Sequence, residues 1–141
     1  MIVLDTTVLV YAVGEEHPLR GPCRRLLNAH VEGIADATTT IEVIQEFVHV
    51  RARRRGRVDA AALGRQYAVV LPILPVLVQD LELALTLFQD VPSLGAFDAV
   101  LAACALNNRA DRLVSADQAF DDVAGLPWMD PRDPDLDTLF S

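Results

Sequence analysis

The sequence contains no lysine, because all 12 of its basic residues are arginine. Without lysine, P-loop phosphate binding, Schiff-base chemistry and phosphoryl transfer that needs a catalytic lysine are excluded. The sequence also contains no G-x-S-x-G nucleophile motif and no glycine-rich phosphate loop. Only two cysteines, Cys23 and Cys104, are present, which indicates a reduced compartment rather than a disulfide-stabilised secreted domain.

Long hydrophobic runs are missing as well. The longest candidate, AVVLPILPVLV at 68–78, contains Pro72 and Pro75 and is shorter than the roughly 18 apolar residues of a membrane span. No basic residue precedes the first apolar run, and Asp5 interrupts that run. We therefore expect no signal peptide, no membrane partner and a cytoplasmic location.

Length and charge limit the organisation of the chain. It has 141 residues, of which 52% are hydrophobic, enough to build the core of one domain. We predict a single domain over residues 1–131 and an acidic tail over residues 132–141. A net charge of −8 disfavours general binding of nucleic acid, so any such binding is expected to use a local arginine patch.

Short apolar segments alternate with helical patterns along the chain. Strands or extended segments are predicted at IVLD (2–5), IADATTT (34–40), LPILPVLV (71–78), DRLVSAD (111–117) and PWMDP (127–131). Amphipathic patterns between them predict helices, one from near Thr40 to Gly56 and the next capped by Asp59. This alternation predicts an α/β fold, a three-layer α/β/α sandwich with a central, mainly parallel sheet.

Three aspartates interrupt apolar sequence. Asp5 and Asp117 are each the last residue of a predicted strand segment, where an aspartate either caps the next helix or serves as a ligand. Asp98 lies early in a strongly apolar helix, where the helix dipole favours an acid although its neighbours should be buried. Because parallel sheets bind ligands beyond the carboxyl ends of their strands, we expect these side chains to converge there.

Two glutamates lie one helical repeat apart in TIEVIQEF. Residues at this spacing project from the same side of a helix. Glu46 lies between Gln45 and Phe47 and is at least as consistent with a half-buried acid as with an exposed one, whereas Glu42 fits a solvated face of the helix. Glu42 is therefore the reserve candidate, in case the acid that faces the site lies one helical turn before Glu46.

Converging carboxylates repel each other, and their pKa values rise unless a cation neutralises them. Oxygen ligands without histidine or thiolate suit Mg²⁺ or Mn²⁺, and no pair of the three histidines has the context of a zinc site. Such an ion holds phosphate and activates water for attack on a phosphodiester. Thr6, Thr7 and Ser115 either orient these carboxylates or serve as ordinary turn residues.

Four segments carry a family resemblance. MIVLDTTVLVYA, TTTIEVIQEFVHV, LGAFDAVLAACAL and RLVSADQAF resemble, in this order, the four acidic motifs of PIN-domain ribonucleases, in particular the toxins of VapBC-type toxin–antitoxin pairs. The resemblance runs from Asp5 to the region of Pro131. It aligns the motif acids with Asp5, Glu46, Asp98 and Asp117, and a small hydroxyl position with Ser115.

The resemblance implies a PIN-like fold and an endoribonuclease toxin that depends on Mg²⁺ or Mn²⁺. In this activity a metal-bound water hydrolyses RNA phosphodiester bonds. Asp5, Asp98 and Asp117 would be metal ligands, and Glu46 would contribute directly or through water. The resemblance also implies a homodimer, and a small VapB-type antitoxin that binds the toxin in a hetero-oligomer.

The segment RARRRGR at 51–57 lies about two turns beyond Glu46 on the same predicted helix. Its arginines either grip the RNA backbone or form a solubilising helix end that the dipole favours. The candidate RNA-binding residues are Arg51, Arg53, Arg54, Arg55 and Arg57.

Two other functions stay open from the residues alone. A phosphatase would use Asp5 as a covalent nucleophile, but Thr7 stands where that chemistry needs a second aspartate. A non-catalytic module would use its acids as helix caps and its arginine patch to bind nucleic acid or a partner.

Overall fold

A four-stranded parallel sheet forms the centre of the computed structural model, which describes residues 1–140. Its strands are β1 (Ile2–Leu4), β2 (Ala37–Thr38), β3 (Arg112–Val114) and β4 (Trp128–Met129), in the order β2-β1-β3-β4. The helices are α1 (Thr6–Val13), α2 (Arg20–Val31), α3 (Ile41–Arg55), α4 (Arg57–Val70), α5 (Val78–Asp90) and α6 (Ala96–Asn107). Two 3₁₀ helices span Gln118–Asp122 and Pro134–Phe140. The predicted α/β/α fold is confirmed.

The two central strands are buried because both faces of the sheet are covered. All three residues of β1 are buried, as are Leu113 and Val114 of β3, and such continuous apolar burial is typical of parallel sheets. In the β1–β3 pairing Leu4 lies opposite Val114. The residues that follow, Asp5 and Ser115, therefore emerge side by side at the carboxyl edge.

The strand order also creates a crevice at this edge. From β1 the chain continues to β2 on one side and then crosses to β3 on the other. Where connections from neighbouring strands diverge in this way, an open space is left between them, and ligands of α/β proteins bind there. The structure places the candidate acids at this switch point.

The proline-containing segment at 71–78 is an extended edge piece rather than a full strand. Its only bridge to the sheet within residues 1–140 joins Ile73 to Thr39 in parallel. Prolines cannot donate to a sheet ladder, which explains why the pairing stops there. No helix in the same residues is long and apolar enough to cross a membrane.

The predicted cap of α4 is wrong. Asp59 lies within the first turn, and Gly56, with φ of +87°, is the residue before the helix. Glycine adopts this left-handed φ without a steric penalty, so it makes the tight turn from α3 to α4. Asp59 is instead held by Arg51, whose Nε donates to Oδ1 at 2.5 Å.

The predicted acidic tail packs against the domain as far as residue 140. Leu136 is only 1% exposed, and Asp137 Oδ1 lies 3.4 Å from Nε of Arg25 on α2. The buried leucine attaches the second 3₁₀ helix to the core, since burial of a leucine side chain contributes about 1.5–3 kcal/mol.

Helices α3 and α4 form a close hairpin that carries Glu46. A methyl group built on Gly64 of α4 would lie 2.6 Å from Cγ2 of Val48 on α3. Phe47 and Tyr67 meet edge to face with centroids 4.9 Å apart, and the Tyr67 hydroxyl donates to the carbonyl oxygen of Leu9 at 2.8 Å. The hairpin is thereby fixed to α1.

We predict that Gly64→Ala destabilises the protein although alanine favours helices. The added methyl must displace Val48, a β-branched side chain with little rotamer freedom in a helix. Overpacking of this kind costs about 1–3 kcal/mol, more than the ~1 kcal/mol gained in helix propensity. Urea unfolding would measure the change in the free energy of unfolding.

Gly21→Ala is the matched control, because nothing lies closer than 3.9 Å to a methyl group at that helical position. This variant should be neutral or stabilised, by up to about 1 kcal/mol. Equal stabilisation by both substitutions would contradict the close approach of α3 and α4.

Candidate active site

Asp5 stands at the carboxyl end of β1, is 5% exposed and caps α1. The hydrogen bonds that it accepts all reach Oδ2, from Ser115 Oγ at 2.6 Å, Thr7 Oγ1 at 3.0 Å and Thr7 N at 3.4 Å. No donor within residues 1–140 bonds to the other oxygen, Oδ1. The cap predicted for Asp5 is therefore present, and it leaves one carboxylate oxygen available to a ligand.

Two hydroxyls connect the ends of β1 and β3. Ser115 is fully buried, and its Oγ accepts the backbone N–H of Asp117 at 3.0 Å while donating to Asp5. Thr7 Oγ1 accepts from the backbone N–H of Ala116 at 3.0 Å. Asp117 in turn caps the first 3₁₀ helix by accepting from the N–H of Ala119 at 2.9 Å. Asp5 and Asp117 are thus held in one hydrogen-bond network.

Glu46, rather than Glu42, joins these acids. The hydroxyl of Thr6, which follows Asp5, donates to Glu46 Oε2 at 3.1 Å across to α3. Glu46 is also among the charges that raise the pKa of Asp98, whereas Glu42 acts on the distant thiol of Cys104. Glu42 is exposed.

Asp98 carries the electrostatic cost of the cluster. Burial in the first turn of α6 raises its pKa, and the charges of Asp5, Asp117 and Glu46 add to the rise, so that the pKa is about 7. Each of these acids lies close enough to act on Asp98 through space. The structure therefore brings the four candidate acids into one electrostatic unit.

The donor set of this cluster fits a hard divalent cation. It consists of carboxylate and hydroxyl oxygens, the ligands that Mg²⁺ and Mn²⁺ prefer, and a cation would lower the raised pKa of Asp98. Within residues 1–140, however, no group of three or more histidine, cysteine, aspartate or glutamate side chains lies close enough together to hold a metal ion. Bound metal would therefore have to draw these carboxylates closer together.

A groove of about 850 Å³ opens beside the acids, between the α3–α4 hairpin and α6. Asp5, Glu46 and Asp98 line one part of it, and Arg57 at the start of α4 lines another. Most of the remaining wall is apolar and is contributed by residues such as Val43, Val48, Ala52, Ala60, Val100 and Leu101. The groove gives an extended ligand access to the acids.

The candidate arginines separate into two groups. Arg51 is engaged, because its Nη2 bonds to Asp59 Oδ2 at 3.3 Å and its Nη1 to the carbonyl oxygen of Val13 at 3.2 Å. Arg55 makes only a loose pair with exposed Glu15, at 3.9 Å. The exposed arginines of the patch are Arg53, Arg54, Arg55 and Arg57.

Two aromatic residues near the acids were not predicted from the sequence. The indole Nε1 of Trp128 donates to the carbonyl oxygen of Ser115 at 3.0 Å, which fixes the end of β3. Phe97 lines the groove beside Asp98. The signals available in the sequence are the tryptophan in PWMDP and the adjacency of Phe97 to Asp98.

Comparison with known proteins agrees with this fold. The PIN domain family model matches residues 2–126. The chain therefore belongs to the PIN-domain family, in its VapC branch, as its curated relatives indicate.

One relative is Ribonuclease VapC7 of Mycobacterium tuberculosis, 56% identical over 136 residues that cover 93% of this chain and 92% of the relative. Ribonuclease VapC23 of the same species is 36% identical and covers 83% of this chain and 93% of its own length. The crystal structure of VapC20 of Mycobacterium tuberculosis, a sarcin–ricin loop cleaving toxin, superposes with a TM-score of 0.74. It covers 89% of this chain and 96% of its own at 19% identity, which supports the fold.

Because Asp98 has a pKa of about 7 in the folded state and about 3.9 when unfolded, the folded protein binds its proton more tightly. Stability is therefore lost as the pH rises from about 4 to about 7. In the presence of a chelator, we expect Asp98→Asn to increase the free energy of unfolding by about 1–2 kcal/mol near pH 8, allowing for solvent screening.

The gain should shrink near pH 5, where the folded wild type is protonated at this site. Thermal melts at both pH values would measure it. Asp90→Asn, which changes an exposed carboxylate at the end of α5, is the control and should show no such pH dependence. If Asp98→Asn increased the free energy of unfolding equally at both pH values, the destabilisation would not come from the charge of Asp98.

Proposed function

We propose that this protein is an endoribonuclease toxin that depends on Mg²⁺ or Mn²⁺ and hydrolyses RNA phosphodiester bonds. The observation that carries the proposal is the placing of Asp5, Glu46, Asp98 and Asp117 at the switch point of a PIN-domain sheet, where hydrogen bonds of Ser115 and Thr6 link three of them and Asp98 lies within reach of their charges. Family membership and the curated names of relatives as ribonucleases support RNA as the substrate.

The chain's own residues would hold the metal and the substrate. Asp5, Asp98 and Asp117 would be ligands, with Glu46 contributing directly or through water. When bound, a divalent ion neutralises these carboxylates, binds phosphate and lowers the pKa of water. Ser115 and Thr7 hold Asp5 through Oδ2, which leaves Oδ1 for a ligand.

Phosphate binding away from the acids would depend on the exposed arginines. Four carboxylates repel an RNA backbone, and the chain as a whole is acidic. Arg53, Arg54, Arg55 and Arg57 form the local basic surface at the far end of α3 and the start of α4. Arg51 would act on RNA only through the position of its neighbours, because it is bonded to Asp59 and Val13.

We also propose that a small VapB-type antitoxin inhibits the site. The chain's membership of the VapC branch supports this partner. An acidic cluster at the end of an apolar groove suits an inhibitor segment with apolar side chains and an arginine, since a guanidinium pairs well with carboxylates. The phosphatase alternative has less support, because the Thr7 hydroxyl is committed to Asp5 and to the N–H of Ala116.

Asp5→Asn should reduce cleavage of structured RNA in the presence of Mn²⁺ by about 100-fold or more, because changes around metal ligands alone cost 10–100-fold. The same variant should lose the rise in melting temperature that Mn²⁺ gives the wild type. Gel assays of RNA cleavage and thermal melts with Mn²⁺ or EDTA would measure the two effects.

Asp90→Asn is again the control with the same charge change, and it should keep both activity and stabilisation by Mn²⁺. Wild-type protein that leaves structured RNA intact with Mn²⁺, and whose melting temperature Mn²⁺ does not change, would exclude the proposed activity. It would favour the non-catalytic binding module instead.

A homodimer is part of the proposal, and α5 offers a face for it. Val78, Leu81, Leu85 and Phe88 are 77, 47, 60 and 50% exposed, respectively. Their spacing of three, four and three residues places them in one stripe, as in the seam of a coiled coil. Soluble monomers rarely expose a large contiguous apolar patch, which supports a second copy of this chain as the partner of this face.

Leu85→Glu should convert the dimer into a monomer, because it would place a charge in the middle of this stripe. Light scattering coupled to size-exclusion chromatography would measure the mass. Glu82→Gln, which changes an exposed residue on the same helix outside the stripe, should leave the mass unchanged. A wild-type mass of one chain at micromolar concentration would contradict the dimer.

A further inference from the structure

Phe97 is a large apolar residue beside the candidate acids. It lies in the first turn of α6, directly before Asp98, and is 84% exposed. A single exposed apolar side chain needs no explanation by itself. The position of Phe97 is informative, however, because the ring lines the groove that also contains Asp5, Glu46 and Asp98.

The groove is acidic at one part and basic at another, an arrangement that fits a nucleic acid strand. Helix α3 places Glu46 at the acids, contributes groove residues as far as Ala52, and leads to Arg57 at the start of α4. At 1.5 Å per residue the six steps from Glu46 to Ala52 span about 9 Å, which accommodates about two to three nucleotides at a rise of 3.4 Å. A phosphate at the acids would thus belong to a strand whose backbone reaches Arg57.

The apolar walls suit the faces of bases. Alanine and valine side chains of α3, α4 and α6 line the groove, and they offer little that would hydrogen-bond to a ribose or a phosphate. Proteins that bind single-stranded RNA place aromatic side chains where unstacked bases can stack on them. Phe97 and His49 are the aromatic side chains that line the groove, and Phe97 is the one directly before Asp98.

We propose that Phe97 stacks on a base of single-stranded RNA next to the phosphate held at the acids. The proposal rests on the proposed function and adds a residue that positions the substrate. A second copy of the chain is the less favoured occupant of Phe97, because a protein seated there would cover the acids, whereas the α5 stripe lies on another helix.

The test uses a fluorescein-labelled, single-stranded RNA of mixed sequence and a matched strand in which every base is replaced by hydrogen. With Mn²⁺ present, Phe97→Ala should weaken binding of the base-containing RNA, or raise its KM, by about 5- to 100-fold. Phe97→Leu should weaken it similarly, because leucine is apolar but cannot stack. Phe97→Trp should retain wild-type binding.

Two controls separate stacking from other roles. Wild type and Phe97→Ala should bind the abasic strand equally well. Val69→Ala removes a similarly exposed apolar side chain (86%) of α4 outside the groove. It should leave the binding of both strands unchanged. Fluorescence anisotropy would measure binding, and size-exclusion chromatography the mass of each variant.

Unchanged RNA binding by Phe97→Ala, or equal loss on both strands, would overturn the proposal. So would a loss of binding accompanied by a change in mass, since Phe97 would then be a contact between copies. These outcomes are distinct from failure of the proposed function: wild type that binds RNA through Phe97 but never cleaves it refutes the nuclease and leaves the stacking role intact.

Discussion

Electrostatic repulsion among four carboxylates is the constraint on which the rest of this structure depends. The fold concentrates Asp5, Glu46, Asp98 and Asp117 at one edge of the sheet, and burial of Asp98, together with the charges of the other three acids, raises its pKa to about 7. A domain could avoid this cost with apolar residues at the same positions. The cation that we propose for this site would offset the cost, because a positive charge between the carboxylates turns repulsion into attraction.

Hydrogen bonds between the ends of neighbouring strands hold the acids in place. Asp5 receives its donors on one oxygen, and buried Ser115 joins it to the N–H of Asp117. The two strands that carry these residues are neighbours at the centre of the sheet. Because helix caps and network bonds use the same side chains, the structural and functional roles of Asp5 and Asp117 are compatible rather than exclusive.

Much of the fold and of the acid cluster could be predicted from sequence, and what could not has physical reasons. Strand-ending Asp5 and Asp117 are predictable because parallel strands place their carboxyl ends together. The engagement of Arg51 by Asp59 and Val13 was not predictable, because it depends on how α3 packs on its neighbours. The apolar groove was missed for the same reason, since three helices that are distant in sequence form it.

Helix α3 connects the acid cluster to the basic patch. Its first turns hold Glu46 against Thr6, and its last turn leads into the exposed arginines. The hairpin with α4, packed tightly at Gly64 and tied to α1 through Tyr67, fixes the direction of α3. A change in that packing would therefore move the acid and the basic patch together, so stability of the hairpin and geometry of the site cannot be varied independently.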